Sequence, residues 1–294
     1  MSIADRADRS DRNELRLALP KGRMQDGVFK LLADAGMPVR VGPRAYRPAF
    51  SLPNVEAKLL KPQSIVEMLH NGSRDVGFAG ADWVAELGAD LVELVDTGCD
   101  PVRVVAAAPP EIAAKLESRP IRVASEYERL TAQWIQRRGL DARFVRSFGA
   151  TEVFPPEDAD CIVDNAASGA TLAVNGLVVV DELMTSTTRL YASRAALDRP
   201  ELRTRIEDLT LLVRSVIEAR SRVMIELNVA AGELEAVVAI LPCMREATIA
   251  PLHGNGGFSV RAAVPRAELP RIVPAVKARG GTDVVVFSPA QIVP

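Results

Sequence analysis

The segment from Asp160 to Leu172 carries the most informative arrangement of reactive side chains in the sequence. A hydrophobic strand leads to the carboxylate of Asp164, and a Ser-Gly-Ala-Thr turn at 168–171 then opens a helix. Backbone N–H groups at a helix N-terminus, together with two hydroxyls, form a natural cradle for a phosphate. Asp164 is placed to accept hydrogen bonds from sugar hydroxyls or to bind a hydrated metal ion. A simpler interpretation is that Asp164 and Ser168 only cap a helix.

Three further loops that follow predicted strands carry charged side chains. Lys21 and Arg23 place two cations after the first strand, and an arginine can bind pyrophosphate through two hydrogen bonds. Asp82 and Glu126 lie in loops after two later strands. Open α/β sheets bind ligands at the carboxyl ends of their strands. One such loop is usually just a solvated surface, but four together predict a ligand-binding cleft.

The elements that position these loops alternate between strand and helix. Leu15–Leu19 is a short strand, and apolar residues then recur with a helical period until Gly36 ends the helix. This alternation predicts an α/β region with largely parallel strands, built as two half-domains with one sheet each. The other elements predicted here are helices at 62–72, after Asp82, at 129–138 and from Gly169, and strands at 76–79, 121–124, 142–145, 161–163 and 177–180.

The C-terminal part of the chain has a different order of elements. A long amphipathic helix at 201–220 leads into a βαββαβ order, which is the ferredoxin-like arrangement. Pro270 and Pro274 fall in its last helix, so we predict a helix with a kink there. The predicted elements are strands at 223–229, 248–252, 258–264 and 284–287 and helices at 232–241 and 269–279.

Composition excludes several classes of protein. The chain has 294 residues, 36 Lys and Arg against 38 Asp and Glu, and no CxxC pair among its three cysteines. A net charge of −2 argues against a general nucleic-acid binder, and two widely separated histidines exclude a histidine-rich metal site. Because there is no signal sequence and no apolar run that could span a membrane, we expect a cytoplasmic protein. Residues 1–12 are predicted to be a disordered tail.

The motifs in this order resemble the ATP phosphoribosyltransferase family, in its long form with a C-terminal regulatory domain. The resemblance covers residues 14–294. It implies a two-lobed, periplasmic-binding-protein-like catalytic domain, with one lobe of residues 13–104 and 189–220 and a second lobe of 105–188, followed by a ferredoxin-like (ACT-like) regulatory domain of 222–294. The segments that carry it are Leu19–Met24, Asp75–Asp82, Arg122–Tyr127, Asp160–Leu172 with Asn175–Leu177, and Ile240–Leu252.

The resemblance implies a reaction between two polyanions. Ring nitrogen N1 of ATP would attack the anomeric carbon of phosphoribosyl pyrophosphate, giving phosphoribosyl-ATP and pyrophosphate in the first step of histidine biosynthesis. Asp164 would hold the ribose hydroxyls, and Glu152 would lie near the same substrate. The residues that would hold the ribose 5-phosphate are Ser168, Gly169, Ala170 and Thr171.

The same resemblance places the nucleotide at the other loops. Lys21 and Arg23 would face pyrophosphate or the phosphates of ATP and, with Asp164, would be catalytic residues. Gly80, Asp82 and Tyr127 would lie near the nucleotide. Magnesium is the implied cofactor, because it would neutralise the departing pyrophosphate; its side-chain ligands are left open.

Two departures from the family's usual pattern bear on regulation and on the site. Phe78-Ala79-Gly80 stands where Ile-Thr-Gly is common, so a hydroxyl is missing. Glu246-Ala247 stands where Ser-Pro often precedes the threonine that is Thr248 here, in the region that binds feedback histidine. Thr248 and Glu246 are the candidate regulatory residues. Histidine is the expected inhibitor. Because members of the family form dimers and hexamers, the resemblance also implies a homo-oligomer, either a dimer or a hexamer.

Two other functions would also use two lobes around a cleft. One is a ligand-binding protein of the periplasmic type, which normally needs an export signal and gives no role to a βαββαβ tail. The other is a catalytically silent regulatory relative. The presence of Lys21, Arg23, Asp164 and the 168–171 loop favours the enzyme over both.

Overall fold

The computed structural model describes residues 14–42, 46–254 and 256–293. The chain divides into two compact units, residues 1–30 with 37–210 and residues 31–36 with 211–294. The predicted disordered tail at 1–12 lies outside the described residues.

The described residues form short and long β-strands in both units. The strands are β1 (Leu15–Pro20), β2 (Val39–Arg40), β3 (Ala49–Phe50), β4 (Val55–Leu60), β5 (Val76–Gly80), β6 (Leu91–Ala108), β7 (Ile121–Ser125), β8 (Ala142–Arg146), β9 (Cys161–Ala166), β10 (Val178–Ser193), β11 (Arg222–Ala230), β12 (Thr248–Pro251), β13 (Gly257–Pro265) and β14 (Thr282–Phe287).

Helices of very different length connect these strands. They are α1 (Gln25–Asp34), α2 (Pro62–His70), α3 (Ala81–Leu87), α4 (Pro110–Ala113), α5 (Glu128–Arg138), α6 (Ala170–Val174), α7 (Arg194–Leu197), α8 (Pro200–Ser221), α9 (Leu234–Val238) and α10 (Leu269–Ala278). None of them is both long and apolar enough to cross a membrane.

The first unit is built on one eight-stranded sheet in the order β4-β1-β5-β10-β6-β9-β7-β8. The strands β4-β1-β5 at one side and β9-β7-β8 at the other are parallel within each group, whereas the pairs β5-β10, β10-β6 and β6-β9 between them are antiparallel. The prediction of a separate sheet for each lobe is therefore wrong: the long strands β6 and β10 hydrogen-bond along most of their length and join the two halves. The α/β class itself is confirmed.

Buried aliphatic side chains explain why the short strands form where they do. In β1 and β5 nearly every side chain is buried, as expected for strands with helices on both faces. The parallel strands β7 and β9 are buried in the same way, with Val123 and Val163 in one hydrophobic cluster and Ala124 and Ile162 in another. The loops at the carboxyl ends of these strands are thus held by a rigid core.

The second unit contains a four-stranded antiparallel sheet in the order β12-β13-β11-β14. Together with α9 and α10 this is the predicted ferredoxin-like arrangement. Alternate residues of β11 are buried, so one face of the sheet carries the helices. Helix α10 continues through Pro274, and α9 is shorter than predicted because a 3₁₀ turn at Ala231–Glu233 replaces its first residues.

Candidate active site

A cavity of about 260 Å³ lies at the carboxyl ends of β1 and β5. Its wall is polar and carries charges of both signs. It is lined by Lys21, Arg23, Met24, Pro62, Gln63, Gly80, Asp82, Trp83, Asp100, Val102, Glu126, Asn165, Ser186, Thr187 and Thr188. We call this space the first cavity.

The two predicted cations enter the first cavity from the loop after β1. Gly22 has a φ of +84°, a conformation that favours glycine, and it turns the chain so that Lys21 and Arg23 both line the cavity. Lys21 is half-buried, with its ammonium 5.2 Å from the centre of the Tyr46 ring. Among the described residues neither cation makes an ion pair, so both are available to an anionic ligand.

Asp82 is a buried carboxylate in the wall of the first cavity. It lies in the first turn of α3 and is only 5% exposed. Its Oδ1 accepts a hydrogen bond of 2.8 Å from the Ser186 hydroxyl, and its Oδ2 accepts one of 2.6 Å from the Tyr127 hydroxyl. A Cβ at Gly80 would lie 2.1 Å from Oδ1, so the position of this carboxylate depends on glycine there.

Tyr127 does not line the first cavity itself and is almost fully buried. Its ring centre is 4.7 Å from that of Trp83, and its hydroxyl accepts a hydrogen bond of 3.1 Å from the side-chain amide of Asn165. Burial and the nearby charge of Asp82 raise the pKa of the Tyr127 phenol well above its ordinary value. The hydroxyl therefore stays protonated and acts as a fixed donor to Asp82.

A second cavity, of about 350 Å³, lies at the carboxyl end of β9. Gly169, at a φ of +77°, immediately precedes α6, and the Ser168 hydroxyl accepts a hydrogen bond of 3.3 Å from the backbone N–H of Ala170. The whole predicted phosphate loop faces this space. The cavity is lined by Glu126, Gly149, Thr151, Glu152, Asp164, Asn165, Ala166, Ala167, Ser168, Gly169, Ala170, Thr171 and Leu172.

Asp164 in the second cavity has an unusual ionisation. Burial raises the pKa of its carboxyl to about 6, and the negative charges of Glu152 and Glu126 act in the same direction. A backbone hydrogen bond of 2.7 Å from the N–H of Asn165 opposes the rise. The carboxylate is thus ionised at neutral pH but surrounded by like charge, an arrangement that favours a ligand with donor hydroxyls or a bound cation.

Glu126 and Asn165 line both cavities. A ligand in the first cavity and a ligand in the second therefore meet at these two residues. The family resemblance predicts that Lys21, Arg23, Gly80, Asp82 and Tyr127 lie near the nucleotide or pyrophosphate, and that Glu152, Asp164 and 168–171 lie near phosphoribosyl pyrophosphate; of these, Tyr127 lines neither cavity and reaches the first one only through its hydrogen bond to Asp82. The structure brings the rest of the first group to the first cavity and the second group to the adjoining one.

Comparison with known families decides what kind of chain carries these cavities. The profile of the family described as "HisG: ATP phosphoribosyltransferase" matches residues 61–215, and that of "HisG, C-terminal domain" matches residues 219–289. The chain belongs to the ATP phosphoribosyltransferase family. It is therefore a transferase of the first step of histidine biosynthesis, as the resemblance in its motifs predicts.

Individual ATP phosphoribosyltransferases agree over nearly the whole chain. The relative from Pelotomaculum thermopropionicum is 32% identical over 96% of this chain and 100% of its own length. The relative from Chlorobium phaeovibrioides is 33% identical over 93% of this chain and 95% of its own. The structure titled "ATP phosphoribosyl transferase (HisG:HisZ) complex from Thermotoga maritima" matches with a TM-score of 0.60 at 23% identity, over 68% of this chain and 98% of that one, and so shares the fold.

Several polar residues of this ATP phosphoribosyltransferase site were not singled out from the sequence. Ser186 and Thr188 lie in the middle of β10, and Asp100 lies within β6 at a φ of +49°, where Thr188 donates a hydrogen bond of 3.0 Å to its carboxylate. Asn165 lies inside the Asp160–Leu172 motif. The position of Asn165 directly after Asp164, at the end of a strand, could have identified it from the sequence. No sequence pattern could have identified Ser186, Thr188 or Asp100, because the order of strands in the sheet brings them to the first cavity.

Magnesium fits this family's site as an ion carried by the substrate. Among the described residues no three His, Cys, Asp or Glu side chains are grouped to hold a metal. Mg²⁺ is commonly held by one or two carboxylates and by substrate phosphates rather than by a protein cage. Asp164 and Glu152 would supply those carboxylates, and such an ion would offset their negative charge, so the magnesium cofactor stays a prediction.

The candidate regulatory residues of the family's C-terminal domain lie at one edge of the second unit. Thr248 is the first residue of β12 and is exposed, as is Glu246 two residues earlier. Their role in binding histidine stays a prediction.

Proposed function

We propose that the two cavities hold the two substrates of the transfer, ATP in the first and phosphoribosyl pyrophosphate in the second. The observation that supports this most directly is the shared wall at Glu126 and Asn165. A reaction that joins a base nitrogen to a sugar carbon needs two adjoining sites, and the bond forms where they meet.

The 168–171 loop holds the ribose 5-phosphate through backbone N–H groups and the hydroxyls of Ser168 and Thr171. Asp164, ionised at neutral pH, accepts hydrogen bonds from the ribose hydroxyls and faces the anomeric carbon as it gains positive charge. Glu152 lies beside it in the same cavity. These roles use positioning and charge stabilisation and require no nucleophilic side chain.

Lys21 and Arg23 neutralise the phosphate groups that meet in the first cavity. The N1–C1 bond forms as the C1–O bond to pyrophosphate breaks, and the leaving group keeps the bonding electron pair. Two unpaired cations close to these phosphates lower the barrier by stabilising charge that grows on the leaving oxygen. Magnesium carried by the pyrophosphate would supply further neutralisation when bound, with Asp164 and Glu152 as its nearest carboxylates.

Three finer features belong to the same proposal. Histidine inhibits the enzyme through the C-terminal domain, the protein works in the cytoplasm, and it forms a homo-oligomer. Exposed apolar side chains on the edge strand β14, Val285 and Phe287 among them, support self-association.

The test is a coupled assay that contains ATP, phosphoribosyl pyrophosphate, magnesium and a pyrophosphatase. We expect the ultraviolet absorbance of phosphoribosyl-ATP to grow only when both substrates and the metal are present. If no product forms while either substrate still raises the melting temperature, the cavities bind without turnover and the chain is a silent relative. The variants Lys21→Ala and Arg23→Ala should each lower kcat by about 10-fold or more.

A further inference from the structure

The buried carboxylate of Asp82 has only neutral donors. Ser186 and Tyr127 each donate one hydrogen bond to it, and no cation pairs with it in the part of the chain that the structure describes. A buried carboxylate without a cation is costly, so such a group is usually completed by a donor from elsewhere. Asp82 lines the first cavity, and a ligand there can supply that donor.

The transfer itself requires an acceptor near this point. When N1 of adenine bonds to the sugar carbon, the base gains a positive charge that spreads over N1, C6 and the 6-amino nitrogen. N1 and the 6-amino group lie side by side on one edge of the ring. An acceptor for the amino group must therefore lie beside the place where the two cavities meet.

Asp82 is connected to that meeting point by two hydrogen bonds. Asn165 lines both cavities, its side-chain amide donates to the Tyr127 hydroxyl at 3.1 Å, and that hydroxyl donates to Asp82 at 2.6 Å. Tyr127 and Ser186 thus both direct their hydrogens at the carboxylate, and the Asn165 amide donates to the Tyr127 hydroxyl oxygen. We propose that Asp82 accepts a hydrogen bond from the 6-amino group of ATP and so selects adenine and stabilises the charge formed on it.

This inference rests on the proposed function, since it takes ATP to occupy the first cavity. It adds a reason for base selection. An ionised carboxylate is acceptor-only, so it attracts a 6-amino group and repels the 6-oxo group of inosine or guanine nucleotides. Because Asp82 is buried, the attraction to the developing charge is stronger than it would be in water.

Tyr127, Ser186 and Gly80 are positioning residues in this arrangement. The two hydroxyls fix the direction of the carboxylate, and Gly80 leaves the space that its Oδ1 occupies. Their loss should weaken selection for adenine without removing the acceptor.

The experiment compares ATP with inosine triphosphate, which carries a 6-oxo group, in binding titrations of the whole enzyme. We expect the wild type to bind ATP about 10- to 100-fold more tightly. In Asp82→Asn this preference should fall to near equality, because the amide can also donate to the 6-oxo group. With ATP as substrate the same variant should lose about 100-fold or more in kcat. Asp90→Asn, on the exposed surface and paired only with Arg194 among the described side chains, is the matched control and should keep the wild-type ratio.

Two further variants keep the proposal falsifiable if Asp82→Asn folds poorly. Tyr127→Phe and Ser186→Ala should each lower the ATP preference by about 3- to 10-fold, whereas a purely structural role would weaken both nucleotides equally. A folded Asp82→Asn protein that keeps the wild-type ratio overturns the proposal. So does loss of the preference in Glu126→Gln with Asp82→Asn unaffected, since the acceptor would then be Glu126. If the wild type selects ATP through Asp82 but forms no product, the proposed function fails together with the charge-stabilising role of Asp82, while its role in selecting adenine stands.

Discussion

The ionisation of Asp164 sets the lowest pH at which we expect the enzyme to remain fully active. Its pKa is raised to about 6 by burial and by neighbouring carboxylates, and only the ionised form accepts hydrogen bonds from both ribose hydroxyls. We therefore expect kcat/KM for phosphoribosyl pyrophosphate to fall as pH decreases through about 6. A pH–rate profile of the free enzyme measures this directly.

The variant Glu152→Gln tests whether the fall in kcat/KM at low pH comes from protonation of Asp164 or from protonation of the substrate's phosphate groups. Removing the negative charge of Glu152 lowers the pKa of Asp164, so the acid limb should move to lower pH. A limb that stays in place would assign it to the substrate instead.

The raised pKa of Asp164 also predicts that this residue lowers the stability of the fold while it supports activity. A carboxyl whose folded-state pKa lies above its unfolded value favours folding fully only below the unfolded value, and this contribution is lost as pH rises through about 6. At pH 7 the ionised Asp164 therefore destabilises the fold. Asp164→Asn should abolish most of the activity yet raise the free energy of unfolding by about 1–2 kcal/mol, after allowance for partial exposure. Urea denaturation at pH 7 and at pH 4.5 checks this: the gain should shrink at the lower pH, and a loss of stability at pH 7 would contradict it.

At the scale of elements, β5 packs so closely on β1 that one position requires glycine. A Cβ at Gly77 would lie 2.8 Å from the Ala18 Cβ and 3.0 Å from the Ala18 carbonyl oxygen, which are atoms of a neighbouring parallel strand. Gly77→Ala should lower the free energy of unfolding by about 1–3 kcal/mol, because neither atom can move freely. Gly232→Ala, where nothing lies within 4 Å of the added carbon, is the control and should be nearly neutral in thermal denaturation. Equal melting temperatures for the two variants would contradict this account of the packing.

Most of the helices and short strands were predictable from the sequence, whereas the full lengths of the two longest strands were not. Strand β1 and helix α1 have clear hydrophobic periods, and alternation in β11 predicted the C-terminal sheet. Strand β6 contains Gly98 and Pro101, which indicate a break, and its first half shows no regular alternation of burial. The prediction of two separate sheets failed for this reason, since β6 and β10 join them.

The residues of the candidate site likewise fall into those that the sequence predicts and those that it does not. Lys21, Asp82 and Asp164 could be predicted because each lies at or just beyond the carboxyl end of a short strand, which is where open sheets bind ligands. Ser186 was missed because it lies inside β10, and it reaches Asp82 only because β10 pairs with β5. That pairing brings Ser186 to Asp82, which lies 104 positions earlier in the chain, and a local sequence pattern cannot predict a contact over that separation.

At the scale of the whole molecule, regulation requires that the C-terminal unit and the substrate cavities bind their ligands interdependently. If histidine weakens substrate binding, phosphoribosyl pyrophosphate must weaken histidine binding by the same factor. A coupling free energy of about 1–3 kcal/mol corresponds to a change of about 5- to 150-fold. The prediction is thus testable from either ligand.

Titration of the wild-type enzyme with histidine should lower its activity, and saturating phosphoribosyl pyrophosphate should raise the apparent dissociation constant of histidine within that range. Glu246→Ala removes an exposed carboxylate that can pair with the amino group of histidine. This variant should weaken histidine inhibition and leave kcat without histidine unchanged, because Glu246 lies in the C-terminal unit and lines neither cavity. Arg245→Ala changes the charge of the adjacent exposed residue and serves as the control. A flat response of the wild type up to millimolar histidine would show that this chain lacks the regulation, whereas inhibition of equal strength in wild type and Glu246→Ala would move the histidine site away from Glu246.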